Sequence, residues 1–369
     1  MPGRDTGFRI RNYWRVILLE KDPSVPVTAT CDLPSGWALC MPEKSDAAEL
    51  TELLRRHETY ARGWASASEE EVLVEISRTG AGIRRNVVLC DRSGAAQAWA
   101  SAHDRALGRM LFLLVVDPQL DDSVADRAAE MLLEWGEQAA GKVGAERRID
   151  PQQIDAGAFA AAERQQRWLA RAGFEHVRTW WQMSRPVRHE DTAVPAPKEG
   201  VRIRRVKRAG SGMPDEDDLR AAHDVLEDAF ADHFNSQAET FDEFLLRLRE
   251  DPGHRWDHWW LAELVDGPGP VPVGTLVGTV SGESTHEGTV APTSSYVAYL
   301  GVRTSARGRG VAKSLLRTVI ADAATRGLSS VGLEVDADSP TGADGLYLSM
   351  GWSTRYVTQS WHRDVTIGC

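Results

Sequence analysis

The sequence predicts an α/β protein made of two similar domains in tandem. Three observations carry that prediction. The second half reads β-α-α-β-β-β-α-β-α-β, and the first half follows the same plan more loosely. Arg185 to Gly200, RPVRHEDTAVPAPKEG, holds three prolines and no apolar periodicity, which marks a linker. Tyr296 to Leu316, YVAYLGVRTSARGRGVAKSLL, passes from an apolar strand through a glycine-rich turn into a helix. A repeat at a spacing of roughly 180 residues is too long for a solenoid and fits a duplicated domain. The division expected is 1–187, a linker over 188–200, and 201–369.

In chain order, Tyr13 to Leu19 reads as a strand or a short helix, and Trp37 to Met41 as a strand. Ser45-Asp46 offers an N-cap to an amphipathic helix carrying Ala48, Leu50, Leu53 and Leu54. Asn86 to Cys90 and Ala95 to His103 form two strands about the turn Asp91-Arg92-Ser93-Gly94. Met110 to Val116 is a continuous apolar run, as a buried central strand requires. A helix with Ala128, Leu132, Trp135 and Ala139 on one face follows. Another is expected over Phe159 to Ala172, ending at Gly173, and then tryptophan-rich strands over Phe174 to Ser184. Beyond the linker come a strand at Val201–Arg204, helices at Asp217–Phe230 and Phe241–Arg249, and strands at Trp259–Leu264 and Val273–Val280. The 296–316 stretch leads to a strand at Val331–Val335, a helix at Gly342–Met350 and closing strands over Trp352–His362.

Composition narrows the function classes. A net charge of −11 argues against general nucleic-acid binding, which needs a positive surface. It suits cationic substrates such as amines, although solubility alone accounts for it. Cys31, Cys40, Cys90 and Cys369 are scattered without a CxxC pair, so neither a zinc site nor a disulfide framework is expected. No apolar run approaches a membrane span, and MPGRDTGFRIRNYW lacks the apolar block of a signal peptide. These features lead us to expect a cytoplasmic protein with no membrane partner.

The 296–316 stretch has the makings of an anion site. A helix start leaves its first N–H groups without partners, and its dipole favours negative charge. Gly308 and Gly310 let the main chain approach a phosphate, and Arg307 and Arg309 add positive charge.

The residues Leu300 to Ala312, LGVRTSARGRGVA, are similar to the acyl-CoA motif of the GNAT superfamily of N-acetyltransferases, R/Q-x-x-G-x-G/A after a strand ending V-x-P. Leu333 to Trp352 resembles that family's L-x-V-x-x-x-N-x-x-A-x-x-L-Y-x-x-x-G-F/W block. The resemblance covers about Val201 to Val365, and the tandem plan resembles actinobacterial two-domain members, of which mycothiol synthases are one type. It implies a mixed, mostly antiparallel sheet flanked by helices in each domain. It implies acetyl-CoA as co-substrate and an N-acetyltransferase reaction on the amine of a small molecule or peptide, by direct attack on the thioester. On this mapping Arg307, Gly308, Arg309, Gly310, Val311 and Ala312 would hold the pyrophosphate. Leu300, Gly301 and Val302 would pair with pantetheine and polarise the acetyl carbonyl, and Tyr347 would protonate the leaving thiolate. No metal is implied, and the chain would act as a monomer or homodimer.

Three positions depart from the family pattern. Thr304 replaces the proline of V-x-P, and Ser339 replaces the asparagine that touches pantetheine. No acid occurs from Gly288 through Arg303, where many members carry one. The base is therefore open among Glu263, Glu283, His286, Glu287, Glu334 and His233, with a water relay or an already neutral amine as alternatives.

The first half carries a degraded copy of the cradle. Placing Val116 on Val302 sets Asp121 at Arg307, Asp122 at Gly308, Ser123 at Arg309, Val124 at Gly310 and Asp126 at Ala312. Two like charges about 5 Å apart repel by about 3 kcal/mol at an effective dielectric near 20. Several carboxylates would therefore outweigh the roughly 1 kcal/mol a helix dipole offers a phosphate. This half is expected not to bind coenzyme A in the usual way, and its acids to serve as N-caps. The competing reading for the whole chain is a non-catalytic acyl-CoA-binding or interaction protein.

Overall fold

The computed structural model describes residues 33–77, 84–106, 108–208, 214–231, 240–250, 254–281, 284–286, 289–291, 293–338 and 342–366. The strand or helix expected at Tyr13 to Leu19 lies outside them, as do Cys31 and Cys369.

In the first half, β1 (Ala38–Cys40) precedes α1 (Ala47–Arg62), which buries Ala47, Leu50, Leu53 and Ala61 and stops at Gly63 with φ 87°. Helix α2 (Glu69–Ile76) was not expected from periodicity. Its signal is local: Ser68 and Glu71 form a capping box, each side chain bonded to the other's backbone N–H. Strands β2 (Arg84–Cys90), β3 (Ala96–Ala106) and β4 (Arg109–Val116) form a meander, followed by α3 (Asp122–Arg147). Strand β5 (Gln152–Phe159) and α4 (Glu163–Arg171) correct the helix expected from Phe159. Phe159 ends a strand whose alternate residues Gln152, Ile154, Ala156 and Ala158 are buried, a period of two within an alanine-rich run. Strand β6 (Glu175–Pro186) closes this half as one strand rather than several.

The second half repeats the plan. It runs β7 (Val201–Arg205), α5 (Glu216–Phe230), α6 (Phe241–Glu250), β8 (His254–Leu264) and β9 (Val271–Ser281). A small hairpin, β10 (Ser284–His286) and β11 (Thr289–Ala291), leads into β12 (Ser294–Val302). Then come α7 (Val311–Thr325), β13 (Ser330–Asp336), α8 (Ala343–Ser349) and β14 (Ser353–Val365).

One mixed sheet of 12 strands runs through both halves, in the order β1-β2-β3-β4-β5-β14-β6-β13-β12-β9-β8-β7. The β4–β5 and β12–β13 pairs are parallel and the others antiparallel. At the middle the halves trade strands. β14, from the end of the second half, lies between β5 and β6, while β6, from the end of the first, lies between β14 and β13.

Helices cover both faces. On one, α7 packs Val311, Leu315, Leu316 and Val319 against Trp260, Leu276, Val297 and Leu333. On the other, α5 and α6 pack Leu226 and Phe244 against Trp259 and Val277. Two glycines confirm the sidedness: a Cβ at Gly274 would meet Val311 of α7, and one at Gly301 would meet Leu226 and Ala229 of α5. In the first half α3 packs against one face of the sheet and α1 with α2 against the other.

Gly136 marks a close approach of α3 to the sheet. A Cβ there would lie 2.5 Å from Cε2 of the buried Phe112 ring. Alanine in a helix interior gains about 1 kcal/mol over glycine. Overpacking a core costs about 1–3 kcal/mol, so the clash wins. Gly136→Ala is expected to lower the melting temperature by a few degrees, measured by calorimetry.

Candidate active site

The parallel ladder of β12 and β13 is short. It joins Ser295 to Val331, Tyr296 to Gly332 and Val297 to Leu333, and then stops. On its other side β12 stays paired with β9 as far as Val302, with a bulge between Val297 and Tyr299. The bulge bends β12 away from β13. Leu300, Gly301 and Val302 are thereby left with one strand neighbour, β9, and an edge facing the gap.

Directly after this edge the chain turns through Arg307 to Gly310. Gly308 (φ 76°) and Gly310 (φ 79°) are left-handed, and Gly310 is the N-cap of α7. A Cβ on Gly308 would point into open space. The turn has an accessible main chain, an exposed Arg307 and a helix N-terminus carrying Val311 and Ala312. These residues fit a pyrophosphate. Arg309 is engaged by Asp266. Sequence reasoning overlooked Lys198 in the linker: its Nζ lies 3.4 Å from the Gly308 carbonyl, and its stem covers Gly310. Nothing in PAPKEG signals that contact. Ser339 lies outside the described residues.

Tyr347 sits on α8, is 8% exposed, and meets Trp352 edge-on with ring centroids 6.0 Å apart. Burial pushes its phenol up to about 12, so it keeps its proton at neutral pH. Tyr347→Phe is expected to lower kcat by roughly 10²-fold or more, as loss of a general acid does. Affinity for CoA, read by calorimetry, should stay within about twofold, because the packing is kept.

The first-half counterpart is closed. Its parallel β4–β5 ladder runs from Arg109–Gln153 to Phe112–Ala156 and then opens in the same way. Into that opening α4 sends Gln165, whose Nε2 donates to the Leu114 carbonyl at 3.3 Å and the Gly157 carbonyl at 3.1 Å. Leu114 is the counterpart of Leu300. Gly173-Phe174 and Gly351-Trp352 close α4 and α8 alike, with both glycines left-handed. Counting back from them sets Gln165 on Ala343 and Leu169 on Tyr347. The filled copy thus has an amide where the open copy has a methyl, and a buried leucine where the open copy has a phenol. The acids expected to cap α3 do something else. Asp121 is the N-cap by position but makes no side-chain cap bond. Asp122 lies 3.4 Å from Arg164, and Asp126 accepts from Trp168 Nε1 at 2.6 Å and Arg171 at 3.0 Å. Partners on α4 compete better than the backbone because they are charged or buried.

On the face shared with α5 and α1, three side chains stand in one row across three strands. Tyr356 of β14 is the ladder partner of Gln182 of β6, and Gln182 is the partner of Glu334 of β13. Tyr296 of β12 stands beside them over Gly332, where a Cβ would lie 3.0 Å from the ring. Arg62, at the end of α1, donates to the Tyr356 hydroxyl at 2.9 Å and stacks over Tyr356, Trp64 and Phe159.

Among the residues of β13 only Glu334 is exposed. The surrounding strands and rings still thin its water shell. That desolvation pushes its carboxyl above the ordinary range, while the Gln182 amide pulls the other way. The Tyr296 hydroxyl, desolvated and near Glu334, is pushed well above the usual phenol range.

The other base candidates fall differently. Glu263 is 3% exposed and held by Arg202 at 2.7 Å and Arg204 at 2.8 Å near the sheet edge, so it is spent on structure. Glu283, Glu287 and His233 lie outside the described residues, and of His286 only the backbone strand is described. Among the described residues no group of three or more His, Cys, Asp or Glu could hold a metal ion. No described helix is long and apolar enough to cross a membrane.

A splayed parallel strand pair followed by a helix N-terminus, present twice in one chain and joined by a glycine turn in the second copy, defines a tandem acetyltransferase fold. Residues 221–352 match the model of the acetyltransferase (GNAT) family, so the chain carries a GNAT domain there. The mycothiol acetyltransferase of Thermobispora bispora is 32% identical over 201 residues, which are 53% of this chain and 61% of that relative. The match thus spans less than two thirds of the curated relative. A GCN5-related N-acetyltransferase from Sphaerobacter thermophilus superposes with a TM-score of 0.70 at 25% identity, covering 91% of this chain and 98% of its own. A tandem GNAT protein from the clavulanic acid biosynthesis pathway shares the fold, with a TM-score of 0.64 at 10% identity over 90% of this chain and all of its own.

Proposed function

We propose that the chain is an acetyl-CoA-dependent N-acetyltransferase that acetylates the amine of a small molecule or peptide. The observation that carries this reading is the contrast between the two splayed strand pairs. One is filled by Gln165; the other is left open beside a glycine cradle and a buried phenol.

On this reading the N-terminal turn of α7, with Arg307, Arg309 and Lys198, holds the pyrophosphate of the donor. The free edge of β12 at Leu300 to Val302 pairs with its pantetheine arm, and backbone N–H groups there polarise the carbonyl. The donor supplies an acetyl group on a thiol leaving group. Glu334 takes the proton from the acceptor's ammonium, which makes the nitrogen a nucleophile. Tyr347 returns a proton to the departing sulfur. The row Tyr356–Gln182–Glu334 with Tyr296 forms the acceptor wall, a carboxylate among aromatic rings, which suits an amine attached to an apolar group. The name of the Thermobispora relative places a mycothiol precursor among the acceptors to try.

The test is thiol release from acetyl-CoA with a panel of small-molecule and peptide amines that includes a mycothiol precursor. Saturable release that depends on one amine class supports the proposal. Tight CoA binding with no turnover over the whole panel would sink it and favour a binding role.

A further inference from the structure

We propose that Gln182, carried on the last strand of the first half, is the positioning residue for Glu334, so that both halves assemble the acceptor side of the site. This rests on the reading of Glu334 as the base.

The ladder register sets Gln182 directly between Tyr356 and Glu334. Its Nε2 donates to Glu334 Oε2 and also to Thr358 Oγ1 at 3.1 Å. The amide has two hydrogens, and both are assigned to acceptors, which fixes its orientation. At 9% exposure Gln182 has little room to swing away. One carboxylate oxygen is thereby anchored and the other is left for an ammonium proton. A base used this way needs such an anchor, since an untethered glutamate samples several rotamers.

The groups facing Glu334 are few. β12 offers the Tyr296 hydroxyl, and β14 offers Tyr356, held by Arg62 with Glu58 behind it at 2.8 Å. Farther along β6, Arg178 is paired with Asp336 at 3.4 Å. Among the described residues Glu334 forms no ion pair, so the Gln182 amide is its main polar restraint.

The experiment uses the full chain with glutamate carboxyls labelled with carbon-13, the Glu334 resonance being assigned by its loss in Glu334→Gln. Its titration midpoint is compared in wild type, Gln182→Leu, Gln182→Glu and Thr358→Val. We expect the midpoint to move up in Gln182→Leu, further up in Gln182→Glu, where a second carboxylate faces it, and slightly in Thr358→Val. The acid limb of kcat/KM should follow, with about tenfold loss below the new limb and recovery above it. Gln182→Glu and Thr358→Val keep the side-chain volume, so they decide the matter if the leucine variant misfolds. Unchanged midpoints in folded variants overturn the proposal. An inactive wild type leaves the titration intact and refutes the transferase reading alone. Shifted midpoints with an unshifted rate profile remove Glu334 as base.

Discussion

Glu334→Gln is expected to lower kcat by ~10²–10⁴-fold, the range for loss of a general base. CoA affinity should be unchanged, because Glu334 stands on β13 and the proposed cradle lies at the start of α7. The pH dependence follows from the sign of its shift. Desolvation raises the carboxyl, so wild-type kcat/KM should rise with pH through a limb above the ordinary glutamate range. That limb should vanish in the glutamine variant. The same shift bears on stability. Between the unfolded and the raised folded pKa the native state holds more protons than the unfolded state, so ionising Glu334 lowers stability as pH rises. The glutamine variant should therefore melt no lower than wild type at neutral pH. A dead enzyme with an undiminished melting temperature would separate chemistry from misfolding; normal turnover would remove Glu334 from the mechanism.

Arg307→Asp combined with Gly310→Asp is expected to abolish CoA binding in calorimetry. Two effects add. At φ 79° Gly310 holds a backbone that a side chain adopts only with strain, and a Cβ there would crowd Lys198 at 3.2 Å. Each new carboxylate also faces the diphosphate. A like-charge pair near 5 Å costs about 3 kcal/mol at an effective dielectric of 20, or more than 100-fold in affinity. The first half carries an acid, Asp121, at the position that matches Arg307. The double variant thus transplants one part of its closure into the second half. Retained affinity would refute the cradle.

The residues that could be read in advance were those whose role depends on near neighbours in the chain. Strand, glycine turn and helix at 296–316 follow from backbone chemistry over 21 residues, and the structure has them as β12, the left-handed Gly308 and Gly310, and α7. The helix–Gly–Trp block around Tyr347 was legible for the same reason. Gln182 was not. In Trp180-Trp181-Gln182-Met183 it looks like one polar break in an apolar strand, and its importance comes from Glu334, 152 positions away. Nor did composition reveal that Gln165 would fill the first-half opening, since a helical glutamine ordinarily faces water. Strand β5 was missed because Ile154 is its one β-branched residue among glutamines and alanines, and burial between β4 and β14 overrides that weak preference.

The exchange of β6 and β14 has a consequence for how the molecule comes into being. Strand β14 is synthesised after the thirteen other described strands, yet its place is in the interior of the sheet, beside β5. A nascent chain that has completed the whole first half still lacks the neighbour that β5 requires, and β6 waits with both edges unpaired. Neither half can close its sheet on the ribosome before the other is made. A ribosome that stalls before Ser353 would therefore leave β5 and β6 each with an unpaired edge, the kind of edge that invites misassembly.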